Sequence, residues 1–300
     1  MPQVYAGFRG GTNASLRLTA SGTRNPAPMT EPLDDTLLLQ RRGAIAELVL
    51  NRPHKRNAFT QAMWAALPAL LDGIAKDCRV LVVRGAGDAF ASGADISEFA
   101  EVYATPERGA AYSRQIAAAL DALAAFPHPT IAMIRGACVG GGCGLALACD
   151  LRFADESARF AITPAKMGLI YPFNDTKRLV DTVGAPMARD MLFSARTLDA
   201  AEALACGLAN RVTAPAGLER MVSDYVDHLL DMSPYSAEFT KQMIARVLAG
   251  QDQDDDSTKA LFAGAFTHAD FNEGYRAFLD KRKPDFSHNN PETDTGTTNQ

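Results

Sequence analysis

The first half of the chain alternates short apolar runs with longer amphipathic segments. The apolar runs have the length and the bounding turn residues of β-strands, and they lie at 37–43, 45–53, 80–87, 129–142 and 151–162. The first two are joined near Gly43. The third is continuously apolar and ends in glycines, which is typical of a strand buried on both faces, and the fourth repeats that pattern.

Amphipathic segments with helical spacing follow these runs. The segment 60–77 is predicted to form a helix in which Thr60 is the N-cap and Pro68 introduces a kink or a break. A further helix is predicted at 143–150, directly after the fourth apolar run. Strands that alternate with helices indicate βαβ units, so the pattern predicts an α/β fold.

The second half of the chain is mostly helical in its periodicity. The predicted helices are 186–193, 199–206, 217–230, 234–249 and 258–283. Pro284 is expected to end the last helix, and the acidic run 252–256 is expected to form a solvated loop. The polar segments 1–32 and 287–300 are predicted to be disordered, with Met29 as a candidate start of the native protein.

Composition narrows the classes of function. The chain has 300 residues, 47% hydrophobic content and a net charge of −5, which supports a large core and disfavours general binding of nucleic acids or anionic membranes. Five cysteines without a CxxC pair disfavour a disulfide framework or a zinc site and fit a reducing, cytoplasmic location. The sequence contains no apolar run of about 20 residues, so no transmembrane helix is expected.

The glycine run Gly140-Gly141-Gly142 lies between a predicted strand and a predicted helix. Such a place exposes unpaired backbone N–H groups at the positive end of a helix dipole. A phosphate cradle is disfavoured because there is no GxGxxG and no Lys-Ser/Thr pair follows the run. Two interpretations are left, an oxyanion site for a thioester and a tight turn that only serves packing.

Five blocks of sequence extend the argument beyond the glycines. They are NRPHKRNAF (51–59), AFASGADISEF (89–99), HPTIAMIRGACVGGGCGLALACDLRFA (128–154), FAITPAKMGL (160–169) and FNEGYRAFLDKRKPDF (271–286). Their order and spacing resemble those of the enoyl-CoA hydratase/isomerase (crotonase) superfamily across residues 34–286. The pairing of GADI with GGGC is specific to that superfamily.

The resemblance implies an architecture and a ligand. The implied fold is an α/β, repeated ββα spiral over 33–215, followed at 216–286 by a helical region that drives assembly into homotrimers or dimers of trimers. The implied ligand is an acyl-CoA thioester, in which coenzyme A is part of the substrate and no separate cofactor is needed. By motif position, the N–H groups of Ala94 and Gly141 would hold the thioester oxygen.

The resemblance also places residues beside coenzyme A. The matching loop near the CoA nucleotide consists of Lys55, Arg56, Asn57 and Ala58. In the GADI turn, Asp95 and Ile96 follow the oxyanion donor, and Asp95 is expected to shape the turn through an Asx-type bond rather than to act as an acid.

A basic cluster near the C-terminus matches one that approaches the CoA phosphates in the family. It consists of Lys281, Arg282 and Lys283. A solvated basic surface is the alternative for this cluster and for the Lys55 loop. Ser97 stands where the family often has a basic residue, which puts that phosphate contact in doubt.

Two positions depart from the hydratases of the family. Active hydratases hold a water between two glutamates, one directly after GGGC and one after a proline in the fourth block. Those positions are Gly144 and Ala165 in this chain. Because hydration needs an acid and a base around the water, the standard two-glutamate mechanism is not supported.

Replacement chemistry is predicted in the stretch 171–175. Tyr171 could donate a proton to an enolate and Asp175 could act as the base, whereas a pocket wall and a helix N-cap are the respective alternatives. Glu98 and Lys166 are expected to face solvent. The sequence therefore leaves two functions open, an acyl-CoA enzyme that works through a thioester enolate and a non-catalytic acyl-CoA-binding protein.

Overall fold

The computed structural model of the protein describes residues 29–286. Residues 1–28 of the predicted disordered segment 1–32, and the whole predicted segment 287–300, therefore lie outside the described range. The described chain contains β1 Met29–Asp34, β2 Leu37–Arg42, β3 Ile45–Leu50, β4 Val80–Gly85, β5 Thr130–Ile134, β6 Ala137–Val139, β7 Leu151–Asp155, β8 Arg159–Ala161, β9 Thr197–Asp199 and β10 Arg211–Thr213.

The strands form two sheets. The large sheet has the order β1-β2-β3-β4-β5-β7-β10, and the small sheet has the order β6-β8-β9. The first three strands of the large sheet are antiparallel, whereas every pairing from β3 to β10 is parallel. The parallel strands are buried on both faces, which explains why β4 and β5 are almost continuously apolar.

Ten helices lie in the described chain: α1 Gln61–Ile74, α2 Phe99–Val102, α3 Pro106–Ala124, α4 Gly141–Ala148, α5 Phe173–Ser194, α6 Ala200–Ala205, α7 Leu218–Leu230, α8 Pro234–Leu248, α9 Asp256–Ala265 and α10 Ala269–Asp280. The predicted α/β fold is confirmed. None of these helices is both long and apolar enough to cross a membrane.

The chain repeats one structural unit, which the sequence pattern alone did not show. β5 in the large sheet is followed by β6 in the small sheet and by α4, and β7 is followed by β8 and α5 in the same way. Earlier in the chain, two isolated parallel bridges continue the layer of the small sheet. They join Phe59 with Ala94 and Ala91 with Cys138 of β6. This succession is the predicted ββα spiral.

Two packed cores hold the sheets and helices together. The main core lies between the large sheet and the helices α1, α3, α4 and α5, and it contains Trp64, Leu120 and Phe160. A smaller core covers the other face of the large sheet, where Val222 of α7 packs near Ile131. Helix α7, the first long helix of the predicted C-terminal region 216–286, therefore packs directly on the large sheet.

Several predicted boundaries were wrong. The strand β1 begins at Met29, so the extended structure starts before the predicted boundary at residue 33. The helix predicted at 258–283 is two helices, because α9 ends at Ala265 and His268 caps the start of α10. That last helix ends at Asp280, where Lys281 adopts a left-handed conformation, rather than at Pro284.

Helix α1 follows its prediction at one end and departs from it inside. The Thr60 hydroxyl accepts from Met63 N at 3.2 Å, which confirms the predicted N-cap. Pro68 lies within the helix, which continues through it without a break. The helix predicted at 186–193 is confirmed, because Gly184, with φ 74° and ψ 160°, interrupts α5 and separates its second half from its first.

The fold predicts opposite effects of two glycine substitutions in helices. A Cβ on Gly142 would stand 2.3 Å from the Ala91 carbonyl oxygen, so Gly142→Ala should lower the free energy of unfolding by about 1–3 kcal/mol through overpacking. Exposed Gly73 of α1 has no atom within 4 Å of its Cβ position, so Gly73→Ala should raise it by up to about 1 kcal/mol. Urea unfolding of the two variants measures both changes in the free energy of unfolding. Equal effects of the two substitutions would contradict the close approach of Gly142 to the Ala91 carbonyl.

Candidate functional site

The Ala94 amide points away from the segment that holds it. Ala94 forms a parallel bridge with Phe59, in which Phe59 N donates to Gly93 O at 2.8 Å and Asp95 N donates to Phe59 O at 2.7 Å. The N–H of the residue between these two bonds faces the opposite side. Within residues 29–286, Ala94 N–H donates to no protein group, so it is available to a ligand.

The Gly141 amide is the second available donor. Gly141 is the first residue of α4, and the first N–H groups of a helix have no partner inside the helix. Gly140 turns the chain into the helix with φ 56° and ψ −121°, a backbone conformation that favours glycine. The Gly141 N–H group therefore points out of the helix at the positive end of the helix dipole.

The two amides are neighbours because no side chain separates their segments. A Cβ on Gly141 would stand 3.7 Å from Ala94 N, and a Cβ on Gly93 would stand 3.3 Å from Gly141 N. Two adjacent N–H donors that face one space can stabilise an oxygen that gains negative charge. The structure thus brings together the two donors predicted from the sequence.

Asp95, next to the first donor, is buried and has three donors on its carboxylate. Arg52 Nη2 donates to Oδ2 at 2.8 Å, and Ser97 N and Oγ donate to Oδ1 at 3.1 and 2.6 Å. The Ser97 hydroxyl and the Arg52 guanidinium lower the pKa of Asp95 to about 2, although burial opposes them. The predicted Asx-type bond is present, and the ionised carboxylate fixes the turn that presents the Ala94 amide.

Only part of the predicted CoA loop is exposed. Lys55 and Arg56 are exposed, whereas Asn57 and Ala58 are buried. The Asn57 side chain accepts from Arg52 N at 2.9 Å and donates to the carbonyls of residues 86 and 89 at 2.9 and 2.7 Å. The polar atoms of the Asn57 side chain therefore hold the loop in place, and the position of this loop along coenzyme A stays a prediction.

The predicted C-terminal basic cluster is bound by carboxylates of its own chain. Arg282 Nη1 lies 2.6 Å from Glu273 Oε1, and Lys283 Nζ lies 2.6 Å from Asp231 Oδ1. Within the described chain, no hydrogen bond or ion pair connects this cluster to the Lys55 loop. Ile96, which follows Asp95, is by contrast 69% exposed and stays a candidate contact for a ligand.

Tyr171 stands in the space in front of Gly144. A Cβ on Gly144 would lie 3.5 Å from the Tyr171 hydroxyl oxygen and 3.4 Å from Leu120 Cδ1. The ring of Tyr171 is partly exposed, but its hydroxyl is buried and has no hydrogen-bond partner among the described residues. Burial raises the pKa of Tyr171 well above its ordinary value, so the hydroxyl keeps its proton.

Asp175 is buried one turn into α5 and is paired. Its Oδ1 lies 2.9 Å from Arg178 Nη1, and the same guanidinium also binds Asp121 of α3. Burial raises the pKa of Asp175, whereas Arg178 lowers it. Pro172 rather than Asp175 is the N-cap of α5, so the alternative that Asp175 caps this helix was wrong.

Three other residues singled out in the sequence, Glu98, Lys166 and Ala165, differ in their exposure to solvent. Glu98 Oε2 accepts from Gln61 N at 2.7 Å at the start of α1, so the expectation that it faces solvent was wrong. Lys166 is exposed, as predicted. Ala165 is also exposed, on the short helical turn Pro164–Met167.

Among the described residues, no group of three or more His, Cys, Asp or Glu side chains could hold a metal ion.

Sequence reasoning missed Arg52, Trp64 and Leu120. Arg52 lies inside the block NRPHKRNAF, yet only the fold brings it to Asp95, 43 residues away. Trp64 stacks on Phe59 with 4.1 Å between ring centroids, and a Cβ on Gly141 would stand 3.1 Å from its Cζ2. The helical spacing of segment 60–77 predicted a helix there, but it did not show that Trp64 lies beside Gly141.

The low pKa of Asp95 predicts a pH-dependent contribution to stability. A carboxylate with a folded-state pKa of about 2 stabilises the fold above its ordinary pKa and loses that effect as the pH falls toward 2. Asp95→Asn should therefore lower the free energy of unfolding by about 2 kcal/mol at neutral pH, and by progressively less below about pH 4. Urea unfolding across this range measures the difference. Asp88→Asn, at an exposed carboxylate, is the control, and a pH-independent loss in Asp95→Asn would contradict the assignment.

Comparison with known proteins identifies the family of the chain. A family model for enoyl-CoA hydratase/isomerase matches residues 40–289. The chain is 32% identical over 257 residues to the short-chain-enoyl-CoA hydratase of Clostridium acetobutylicum, which covers 83% of this chain and 96% of that protein. It is 31% identical over 265 residues to the 2,3-dehydroadipyl-CoA hydratase of Escherichia coli, with 83% and 98% covered.

Solved structures give the same result. A Hyphomonas neptunium protein assigned to the enoyl-CoA hydratase/isomerase family superposes with a TM-score of 0.82 at 41% identity, covering 84% of this chain and 97% of that chain. A structure from Magnetospirillum magneticum described as an enoyl-CoA hydratase/carnithine racemase gives 0.81 at 33% identity, with 88% and 99% covered. Sequence and structure agree that this chain belongs to the enoyl-CoA hydratase/isomerase (crotonase) family.

Proposed function

We propose that this protein is an acyl-CoA enzyme that forms a thioester enolate, with the enolate oxygen held by the N–H groups of Ala94 and Gly141. The observation that carries this proposal is the adjacency of two backbone donors that have no acceptor among residues 29–286. Both donors are fixed before a ligand binds, and such preorganised donors are worth about 100- to 1,000-fold in rate each.

Proton transfer at the acyl carbon is assigned to groups on and before α5. The Tyr171 hydroxyl keeps its proton at neutral pH, which suits a donor to the enolate carbon and excludes a base. Asp175 is the proposed base. Its pairing with Arg178 keeps a carboxylate available, while burial raises its pKa toward the range in which proton abstraction is useful.

Water addition is not part of the proposal. Gly144 and Ala165 occupy the two positions where the hydratases of the family carry glutamates, so no pair of carboxylates is available to hold a water there. An enolate intermediate without water addition is compatible with isomerisation, with decarboxylation and with other lyase reactions. The alternative is a protein that binds acyl-CoA without catalysing a reaction. The experiment below distinguishes this alternative from the proposed enzyme.

Two further properties follow for the ligand and the assembly. The exposed side chains of Lys55 and Arg56 are the proposed contacts for the phosphates of coenzyme A, with Lys281 and Lys283 as weaker candidates because of the Lys283 ion pair. Large apolar side chains on α9 and α10 are exposed in the single chain, among them Phe262 and Phe278. They support the proposed assembly into homotrimers or dimers of trimers.

Exchange of an α-proton tests the central step. The protein should catalyse deuterium exchange at the α-carbon of butyryl-CoA in heavy water, which mass spectrometry measures. Gly93→Ala should reduce this exchange by about 100-fold or more, because its Cβ would stand 3.3 Å from Gly141 N and obstruct the donor pair. Crotonyl-CoA should not be hydrated at a comparable rate.

Gly43→Ala is the matched control. Gly43 also has a positive φ, 57° against 98° at Gly93, but no atom lies within 4 Å of its Cβ position, so its variant carries backbone strain without obstructing the donors. Tight butyryl-CoA binding without exchange would contradict the proposal and favour a binding protein. Rapid hydration of crotonyl-CoA would contradict the exclusion of water addition, and unchanged exchange in Asp175→Asn would remove Asp175 as the base.

A further inference from the structure

The loop that contains Lys55 and Arg56 is hydrogen-bonded to the turn that presents the Ala94 amide. Ser92 N donates to Arg56 O at 2.9 Å, and the Ser92 hydroxyl donates to Lys55 O at 3.2 Å. The backbone of Phe59 continues the contact through two further hydrogen bonds to the turn. The carbonyl groups of both exposed cations are therefore held by the segment that carries the first oxyanion donor.

Two residues of this loop have an unfavourable backbone conformation. Arg56 and Asn57 have φ angles of 50° and 55°, in the left-handed region that residues with a Cβ adopt infrequently. Such conformations persist where the surrounding contacts over-determine them. The Asn57 side chain and Ser92 supply those contacts here, so the shape of the loop depends on its connection to the turn.

Arg52 joins the loop and the turn with a single guanidinium group. Its Nη1 donates to Ala58 O at 2.6 Å, at the end of the loop, and its Nη2 donates to Asp95 Oδ2 at 2.8 Å, in the turn. The two charged side chains are only 13% and 7% exposed, so solvent screens their attraction little. The planar fork of arginine binds both acceptors at once, whereas the ammonium group of lysine is a single point charge.

The side chains of the same loop are free to bind an anion. Lys55 and Arg56 are exposed and form no ion pair within residues 29–286. A phosphate bound by these cations would be held by the unit that also carries the Ala94 amide. The protein would then set the distance between the phosphate and the thioester oxygen. Binding energy gained far from the reacting carbon can in this way orient the thioester and raise kcat, rather than affinity alone.

We propose that Arg52 is a positioning residue through which the nucleotide end of coenzyme A fixes the thioester against the Ala94 amide. Its guanidinium keeps the loop and the turn in one rigid unit. The inference rests on the proposed function, which places the thioester oxygen at Ala94 and the phosphates at Lys55 and Arg56. Without the arginine fork, the nucleotide would still bind to the loop but would no longer determine where the thioester lies.

Two thioesters of different length test the inference. Butyryl-CoA and butyryl-pantetheine carry the same acyl group, but only the first carries the nucleotide. In the unmodified protein, kcat of α-proton exchange should be at least about tenfold higher for butyryl-CoA, because a displacement of about 1 Å at a reacting centre can cost about 100-fold in rate. In Arg52→Lys the two kcat values should become equal. Their ratio does not depend on the folded fraction of the variant, so a loss of stability alone cannot produce this result.

Arg84→Lys is the matched control. Arg84 of β4 also pairs with a carboxylate, with 2.9 Å between its Nε and Glu47 Oε2, and its other side-chain hydrogen bond goes to Gln40, away from the loop and the turn. This variant should keep the kcat ratio of the unmodified protein. An unchanged ratio in Arg52→Lys would reduce Arg52 to a structural role and overturn the inference. Equal kcat values for the two thioesters in the unmodified protein would overturn it as well.

The carbonyl band of the bound thioester, labelled with ¹³C, gives a second readout that needs no turnover. In the unmodified protein, the band of bound butyryl-CoA should lie at lower frequency than that of bound butyryl-pantetheine, because better alignment with the amides polarises the carbonyl more. In Arg52→Lys the two bands should coincide. Coincident bands in the unmodified protein would overturn the inference. Separate bands without any exchange would contradict the proposed enzyme and support the positioning role, so the two can fail independently.

Discussion

Two main-chain segments, 91–95 and 137–142, pack against each other with no side chain between them. Ala91 N donates to Ala137 O and Val139 N donates to Ala91 O, both at 2.9 Å. A Cβ on Gly142 would collide with the Ala91 carbonyl at 2.3 Å, and a Cβ on Gly93 would lie 2.9 Å from Val139 O. This contact places the first turn of α4 beside the Ala94 amide, and the proposed chemistry depends on it.

The surrounding structure keeps that contact rigid. Arg52 and Ser97 hold Asp95, and through it the turn that contains Ala94. Seven of the eight residues of α4 are buried, so the helix cannot move without disturbing the main core. At the far end of α4, the buried Arg152 donates to Cys149 O and Leu208 O at 2.9 and 2.7 Å. A cation at the C-terminal end of a helix interacts favourably with the helix dipole.

In the proposed function, the side chains assigned to proton transfer come from a different part of the chain than the glutamates of the two-glutamate hydratases. Helix α4 contributes only a glycine, Gly144, at the position of the first glutamate. The proposal uses Tyr171, just before α5, whose hydroxyl lies beside Gly144, and Asp175, in the first turn of α5. In this proposal the backbone donors and the side-chain chemistry are independent features of the fold. The donors follow from the family, and the reaction would depend on residues 171–178.

The sequence predicted the α/β fold and the family, whereas the roles assigned to the donor pair and to the residues at the acyl end stay predictions. The fold and the family could be predicted because short motifs such as GADI and GGGC fix local backbone geometry. It failed where tertiary contacts decide, as for Arg52, which reaches Asp95 across 43 residues, and Glu98, which reaches Gln61 across 37. The hydrogen bonds of the Asn57 side chain could likewise not be predicted, since a polar residue in a motif can serve a ligand or its own loop.

The carbonyl stretch of a bound thioester tests the donor pair most directly. Isotope-edited infrared difference spectra of butyryl-CoA labelled with ¹³C at the thioester carbonyl would report the hydrogen bonds to its oxygen. Two convergent amides polarise this bond, so the band of the bound thioester should shift to lower frequency than that of the same compound free in buffer. A bound thioester whose band stays at the frequency of the free compound would contradict the account.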